Sequence, residues 1–186
     1  MTQFQIAVIV GSLRRDSINR KLASALAKIA PSEFFFKQLE IGDLPLYNQD
    51  DDPNPPAPAK RLKGEIMAAS GLLFVTPEYN RSIPGVLKNA IDHASRPWVQ
   101  NAWAGKPAGV LGASDGANGT ALAQQHLRNI LAHVDAPTLC QPEAFIQIED
   151  GFFDEAGNIS SERTREFLKA WMDRYIAWVK LHAAPF

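Results

Sequence analysis

The sequence predicts an α/β fold in three layers: a five-stranded parallel sheet with helices on both faces. Three observations predict it. Short apolar runs alternate with stretches whose apolar residues recur at helical spacing, and the alternation repeats along the chain. The runs are mostly continuous in their apolar character, as strands covered on both faces are. No tandem sequence period and no linker composition interrupts them.

Ile6-Ala7-Val8-Ile9-Val10 is the first strand. Leu22, Leu26 and Ile29 recur at helical spacing behind Gly11 to Asn19, so that loop opens a helix, with Ser17 as its cap. Glu33 to Leu39 is the second strand, centred on Phe34-Phe35-Phe36. Ile41 to Pro58 reads as irregular because it holds Pro45, Pro53, Pro55, Pro56 and Pro58. Its acidic run Asp50-Asp51-Asp52 lacks the alternating ligands, central glycine and distal glutamate of a calcium loop, and reads as solvated. A helix over Ala59 to Ala69 follows, with Leu62 and Ile66 on one face. Gly71-Leu72-Leu73-Phe74-Val75 is the third strand. It runs through Thr76 to Asn80 into a helix that takes Pro84 in its first turn and carries Leu87, Ala90 and Ile91. Ala108 to Gly112 is the fourth strand, Ala113 to Gly119 a polar, glycine-bearing loop, and Leu122, Leu127, Ile130 and Leu131 mark the next helix. Thr138-Leu139-Cys140 and Ala144 to Ile148 compete for the fifth strand, with a break at Pro142. Asp154 to Asn158 reads as a turn, and Ser160 or Ser161 caps a last helix through Phe167, Trp171, Tyr175 and Trp178. Right-handed crossovers through these elements give the flavodoxin-like strand order 2-1-3-4-5, as a single domain over residues 1–186.

Composition narrows the function classes. The 19 basic and 20 acidic residues leave a net charge of −1, which offers no bulk attraction for nucleic acid or an acidic membrane. One cysteine excludes an internal disulfide and a multi-cysteine metal site. Cys140 reads as a buried small hydrophobe. No apolar run approaches the length of a membrane span, and the N-terminus lacks a signal-peptide pattern, so a cytoplasmic protein is expected. Neither H-E-x-x-H nor paired cysteines suggest a metal. His93, His126, His133 and His182 are scattered and read as surface or satisfied core residues.

Position carries the functional reading. In such sheets ligands bind beyond the carboxyl ends of the strands, at the switch point between the first and third. The three unusual loops follow the first, third and fourth strands, so they converge on one edge. Residues 11–19 offer a helix N-terminus with Ser12, Ser17, Asn19 and an arginine, which suits a phosphate, although a plain cap at Ser17 explains part of the pattern. Pro77-Glu78-Tyr79-Asn80 offers backbone N–H groups, an aromatic ring and an amide. Ser114 and the nearby glycines, Gly116 among them, let backbone approach a flat ligand. A phosphate at one end and a planar heteroaromatic between two loops describes FMN. The G-x-G-x-x-G fingerprint and the P-loop lysine motif are absent.

These stretches also carry a resemblance. Gly11-Ser12-Leu13-Arg14 with Ser17 and Asn19, Pro77-Glu78-Tyr79-Asn80 with Ser82-Ile83-Pro84-Gly85, and Leu87-Lys88-Asn89-Ala90-Ile91-Asp92 resemble the NADPH-dependent FMN reductase family, nearest its quinone and chromate reductase branch. The likeness extends through the Ser114 loop to His126-Leu127-Arg128. It implies that Ser12, Leu13, Arg14, Arg15, Asp16, Ser17, Ile18 and Asn19 hold the FMN phosphate. Pro77, Glu78, Tyr79 and Asn80 would hold the isoalloxazine, and Ser114 and Gly116 its other side. It further implies NADPH or NADH as co-substrate, ping-pong transfer of hydride through FMN to a quinone or similar small oxidant, no acid–base triad, and a homodimer or homotetramer. Trp98 and Trp103 fit an interface or a core satellite equally. Asp16 is expected to face solvent, since a bound dianion would repel it, and Arg15 to face solvent or a 2′-phosphate. His93 stands where the family often has tryptophan, and Thr120 where a second glycine is common; both bear on the substrate side. A flavodoxin-type electron carrier shares the fold, but such carriers are expected to be strongly acidic, and this chain is not. A module that has lost its flavin is the remaining alternative.

Overall fold

A computed structural model describes residues 3–182; the first two and last four residues of the expected 1–186 domain lie outside the described residues. Strands β1 (Phe4–Val10), β2 (Phe34–Gln38), β3 (Gly71–Val75), β4 (Ala108–Ser114) and β5 (Phe145–Gln147) are all parallel, in the predicted order β2-β1-β3-β4-β5. Helices α1 (Ile18–Ile29), α2 (Ala57–Met67), α3 (Gly85–Ala94), α4 (Ala121–His133) and α5 (Glu162–His182) cover both faces.

The strand period of two divides the core. Ala7, Ile9, Leu72, Phe74 and Val110 point to one side and pack on Leu62 and Ile66 of α2, Leu87 and Ile91 of α3, and Leu127 and Leu131 of α4. Ile6, Val8, Leu73, Val75 and Leu111 point to the other and pack on Leu22 and Leu26 of α1 and on Trp171, Tyr175 and Val179 of α5. Continuous apolar runs were needed because each of these strands is covered twice.

Several elements differ from the sequence reading. Helix α2 begins at Ala57, two residues early, because Pro58 falls in its first turn, where a missing N–H costs nothing. Pro84 is the N-cap of α3 rather than a residue inside it. The two candidates for the fifth strand both run along β4. Ala108 N donates to Pro137 O and Leu139 N to Ala108 O, and then β5 pairs with Gly112 to Ser114. Cys140 is exposed, not buried. The segment is extended there, so Leu139 faces the core and its neighbour faces out. Trp103 is fully buried, its ring tilted against Phe74 and its Nε1 donating to Ile91 O at 3.0 Å, whereas Trp98 is half-exposed beside His133. Ser161 caps α5 by accepting from Thr164 N. Among the described residues no helix is long and apolar enough to cross a membrane.

The carboxyl ends of β1, β3 and β4 are held level. Val10 lies opposite Val75, and Gly11 N donates to Val75 O at 3.0 Å. Thr76 N donates to Leu111 O at 3.1 Å. Beside it, a Cβ on Gly112 would lie 2.1 Å from Thr76 O and 2.4 Å from Thr120 Oγ1. The close approach of the two chains therefore requires glycine. Gly112→Ala should lower the unfolding free energy by about 1–3 kcal/mol in urea titration. Gly64→Ala, on an open face of α2 with nothing within 4 Å, should raise it by about 0.5–1 kcal/mol. Equal stabilities for the two variants would refute this account of the strand ends.

Candidate functional site

The loop from β1 into α1 is capped as the sequence suggests. Ser17 Oγ accepts from Arg20 N at 3.2 Å. Asn19 is buried, and its side chain pairs with β4 in both directions: Nδ2 donates to Ala113 O at 2.8 Å, and Ala113 N donates to Oδ1 at 2.9 Å. This amide pair fastens the start of α1 to the end of β4. The backbone N–H groups of Ser17, Ile18 and Asn19 have no acceptor among the described residues. Ser12 is buried and accepts a long 3.4 Å bond from Arg14 N. Arg14, Arg15 and Asp16 are exposed, as expected for Asp16.

The loop from β3 into α3 closes on itself. Tyr79 and Ser82 exchange backbone bonds of 2.9 and 3.0 Å around Asn80 (φ 51°) and Arg81 (φ 63°). Two positive φ values at the central positions make a type I′ turn. Asparagine tolerates that conformation, but arginine does so at a cost. The N–H groups of Glu78, Asn80 and Arg81 also lack acceptors among the described residues. The Glu78 carboxylate turns away from them. Its Oε2 accepts from Leu122 N at 3.0 Å and Ala123 N at 3.1 Å, so it caps α4 from another loop. Thr120, which occupies the cap position, sits at φ 71° with no capping bond, so α4 depends on this distant acid. One helical turn on, His126 Nδ1 meets Ser82 Oγ at 2.9 Å.

Ser114 ends β4, two residues beyond the expected Gly112, and its Oγ donates to Gly116 O in the loop that follows at 3.1 Å. Together the three loops form one cleft, lined by Ser12, Arg14, Ser17, Ile18, Asn19, Pro77, Glu78, Tyr79, Ala113, Ser114 and Asp115. Ala113 and Asp115, which flank Ser114 in the polar loop read from the sequence, were not among the expected site residues. Leu13, Arg15, Asp16, Asn80 and Gly116 do not line it. Leu13 instead leans over Gly42, whose added Cβ would meet Leu13 Cδ2 at 2.8 Å.

His93 and Thr120, expected to bear on the substrate side, do not line the cleft. His93 is buried, with Nε2 bonded to Pro45 O at 2.8 Å and its ring edge-on to Tyr47. Thr120 is buried and accepts from Gln124 Nε2. Among the described residues no group of acidic, histidine or cysteine side chains could hold a metal ion.

The donor set suits FMN. Three unpaired N–H groups at a helix N-terminus beside Arg14 suit a phosphate dianion. Three more at the Tyr79 turn suit the carbonyl-rich edge of a flat heteroaromatic. The cleft is open to solvent and offers about 130 Å³, well under the roughly 300–1,000 Å³ of pockets that engulf a ligand. A mononucleotide would therefore be held by its tail, with its ring on the open shelf beside half-exposed Tyr79.

The chain is similar to several known proteins. The family described as NADPH-dependent FMN reductase matches residues 4–150. A 2-hydroxy-1,4-benzoquinone reductase from a Burkholderia species is 56% identical over 176 residues, covering 95% of this chain and 96% of the relative. A quinone reductase of Pseudomonas putida is 48% identical over 182 residues, covering 97% of each. Among solved structures, FerB, a flavoenzyme NAD(P)H:(acceptor) oxidoreductase from Paracoccus denitrificans, superposes with a TM-score of 0.94 at 45% identity. That match covers 97% of this chain and 100% of FerB.

The Glu78 contact makes a measurable claim. Glu78→Ala should lower the unfolding free energy by about 1 kcal/mol, as loss of a helix cap does. Glu78→Gln, which keeps an acceptor oxygen, should recover most of that loss. A Glu78→Ala protein with wild-type urea midpoint would show that α4 does not depend on the carboxylate.

Proposed function

The chain belongs to the NADPH-dependent FMN reductase family, and from that premise we propose that it is an NAD(P)H-dependent quinone reductase working through tightly bound FMN. The observation that carries this reading is the meeting of three strand-end loops in one cleft, with unpaired backbone donors at both ends and an arginine at one. Its high identity to proteins named quinone reductases supports the choice of acceptor.

We assign the phosphate to Arg14, to Ser12 and Ser17, and to the N–H groups of Ser17, Ile18 and Asn19, with Leu13, Arg15 and Asp16 forming the outer wall of the loop. The N–H groups of Glu78 and Asn80 would take the pyrimidine edge, Pro77 and Tyr79 would border the ring, and Ser114 with Gly116 would close its other side. When bound, FMN supplies the redox chemistry, accepting hydride from NADPH or NADH and delivering it to a quinone in a ping-pong sequence. The protein's part is to hold the ring on an open shelf where nicotinamide and quinone can take turns. No side-chain proton relay is required.

We further propose that residues 1–186 act as one FMN-binding domain, in the cytoplasm, as a homodimer or homotetramer. A flavodoxin-type carrier is the alternative. The net charge of −1 argues against it, because docking of such carriers relies on a strong field of one sign.

Purified protein should carry a flavin spectrum that bleaches on anaerobic addition of NADPH and recovers on addition of a quinone. Bleaching without steady-state turnover would point to the carrier. Arg14→Ala should weaken FMN about 10- to 100-fold, the equivalent of one charge-assisted hydrogen bond, as read by fluorescence titration of the apoprotein. Unchanged affinity would remove Arg14 from the phosphate site.

A further inference from the structure

The turn that carries Tyr79 is held in a costly conformation. Asn80 and Arg81 both sit at positive φ, and the Arg81 backbone gains nothing visible from being there. Its N–H has no acceptor among the described residues, and its side chain is exposed. Strain of this kind persists only where the surroundings over-determine it. Helix α4 supplies two braces. The Glu78 carboxylate binds its first turn on one side of the Tyr79–Ser82 turn. On the other side, Ser82 Oγ binds His126, one helical turn further along. Glu78 has a second task, as the cap of α4. His126 is exposed and meets only Ser82 in hydrogen bonding among the described residues. An exposed histidine–serine bond adds little to global stability, so its consequence is local: it fixes the direction in which the Asn80 and Arg81 N–H groups and the Tyr79 ring point.

We propose that His126 is a positioning residue of the redox site, acting through Ser82 to keep the Tyr79–Ser82 turn in its left-handed form. The proposal rests on the FMN reading above. The bond forms with either sharing of the proton, Ser82 donating to a bare Nδ1 or accepting from a protonated one, so the brace does not depend on one tautomer.

The test is a double-mutant cycle on Ser82→Ala and His126→Ala, with His126→Asn as rescue, because an asparagine amide reaches where Nδ1 stands. In the FMN-free proteins, amide hydrogen exchange at Ser82 is expected to quicken about 3- to 10-fold in either single variant. In the FMN-loaded proteins, kcat/KM for a quinone should fall by about the same factor. The visible circular dichroism of the bound flavin should change and FMN affinity should fall by no more than that factor, while the melting temperature stays near wild type. The double variant should be no worse than either single one, and His126→Asn should restore both readouts. Multiplying losses in the double variant, no rescue by asparagine, or a fall in kcat/KM that disappears when rates are taken per bound FMN would each overturn the proposal. A wild-type protein that takes up no FMN would instead overturn the functional reading, and the redox role with it, while hydrogen exchange would still report the brace.

Discussion

The cleft exists because β3 and β4 approach so closely at their carboxyl ends that no side chain fits between them. Gly112 has Thr76 O and Thr120 Oγ1 inside the space a Cβ would occupy. That approach sets the separation of the loops that leave β3 and β4. The Asn19 amide then brings α1 against the same strand end through two bonds to Ala113. A buried amide satisfied on both sides is specific in a way that apolar packing is not, since a shift of one residue would strand both partners without hydrogen bonds. Three loops thus meet in a fixed relation before any ligand arrives.

Backbone accounting explains what that relation is for. Most buried or partly buried N–H groups in a folded chain find acceptors. Here two groups of N–H donors lack them among the described residues: Ser17, Ile18 and Asn19, which line the cleft, and Glu78, Asn80 and Arg81, of which Glu78 lines it and the other two are exposed in the adjoining turn. Side chains that might have satisfied them are engaged elsewhere. Ser17 Oγ takes the N–H of Arg20, the Asn19 amide takes Ala113, and the Glu78 carboxylate takes Leu122 and Ala123. A carboxylate so committed also keeps its charge from the open donors, which leaves them available to an electron-rich ligand.

The order of elements and the edge on which they converge could be read from the sequence because they depend on local patterns: doubly covered strands are apolar throughout, and helix starts carry caps and prolines. The two segments beside β4 could not be resolved into competitors or partners, since parallel pairing leaves no local mark and Cys140 takes its exposure from the alternation set by Leu139. At the site, the loops were legible but the division of labour within them was not. Nothing near Glu78 in the chain indicates that it caps a helix 44 residues away. Nothing near Asn19 indicates that its amide belongs to β4. His93 and Thr120 drew attention as departures from a family pattern, yet each answers to a buried neighbour, Pro45 O and Gln124, and neither lines the cleft.

These long-range contacts make α4 more than a covering helix. Its N-terminus is tied to Glu78, its second turn to Ser82 through His126, and its entry through Thr120 to the strand approach at Gly112. The same helix packs Leu127 and Leu131 into the core, so it couples the exposed turn to the packed interior. An open shelf gives up the enclosure by which most pockets orient a ligand. Orientation must then come from backbone donors whose directions are set by the scaffold, and rigid elements behind the loop are what set them.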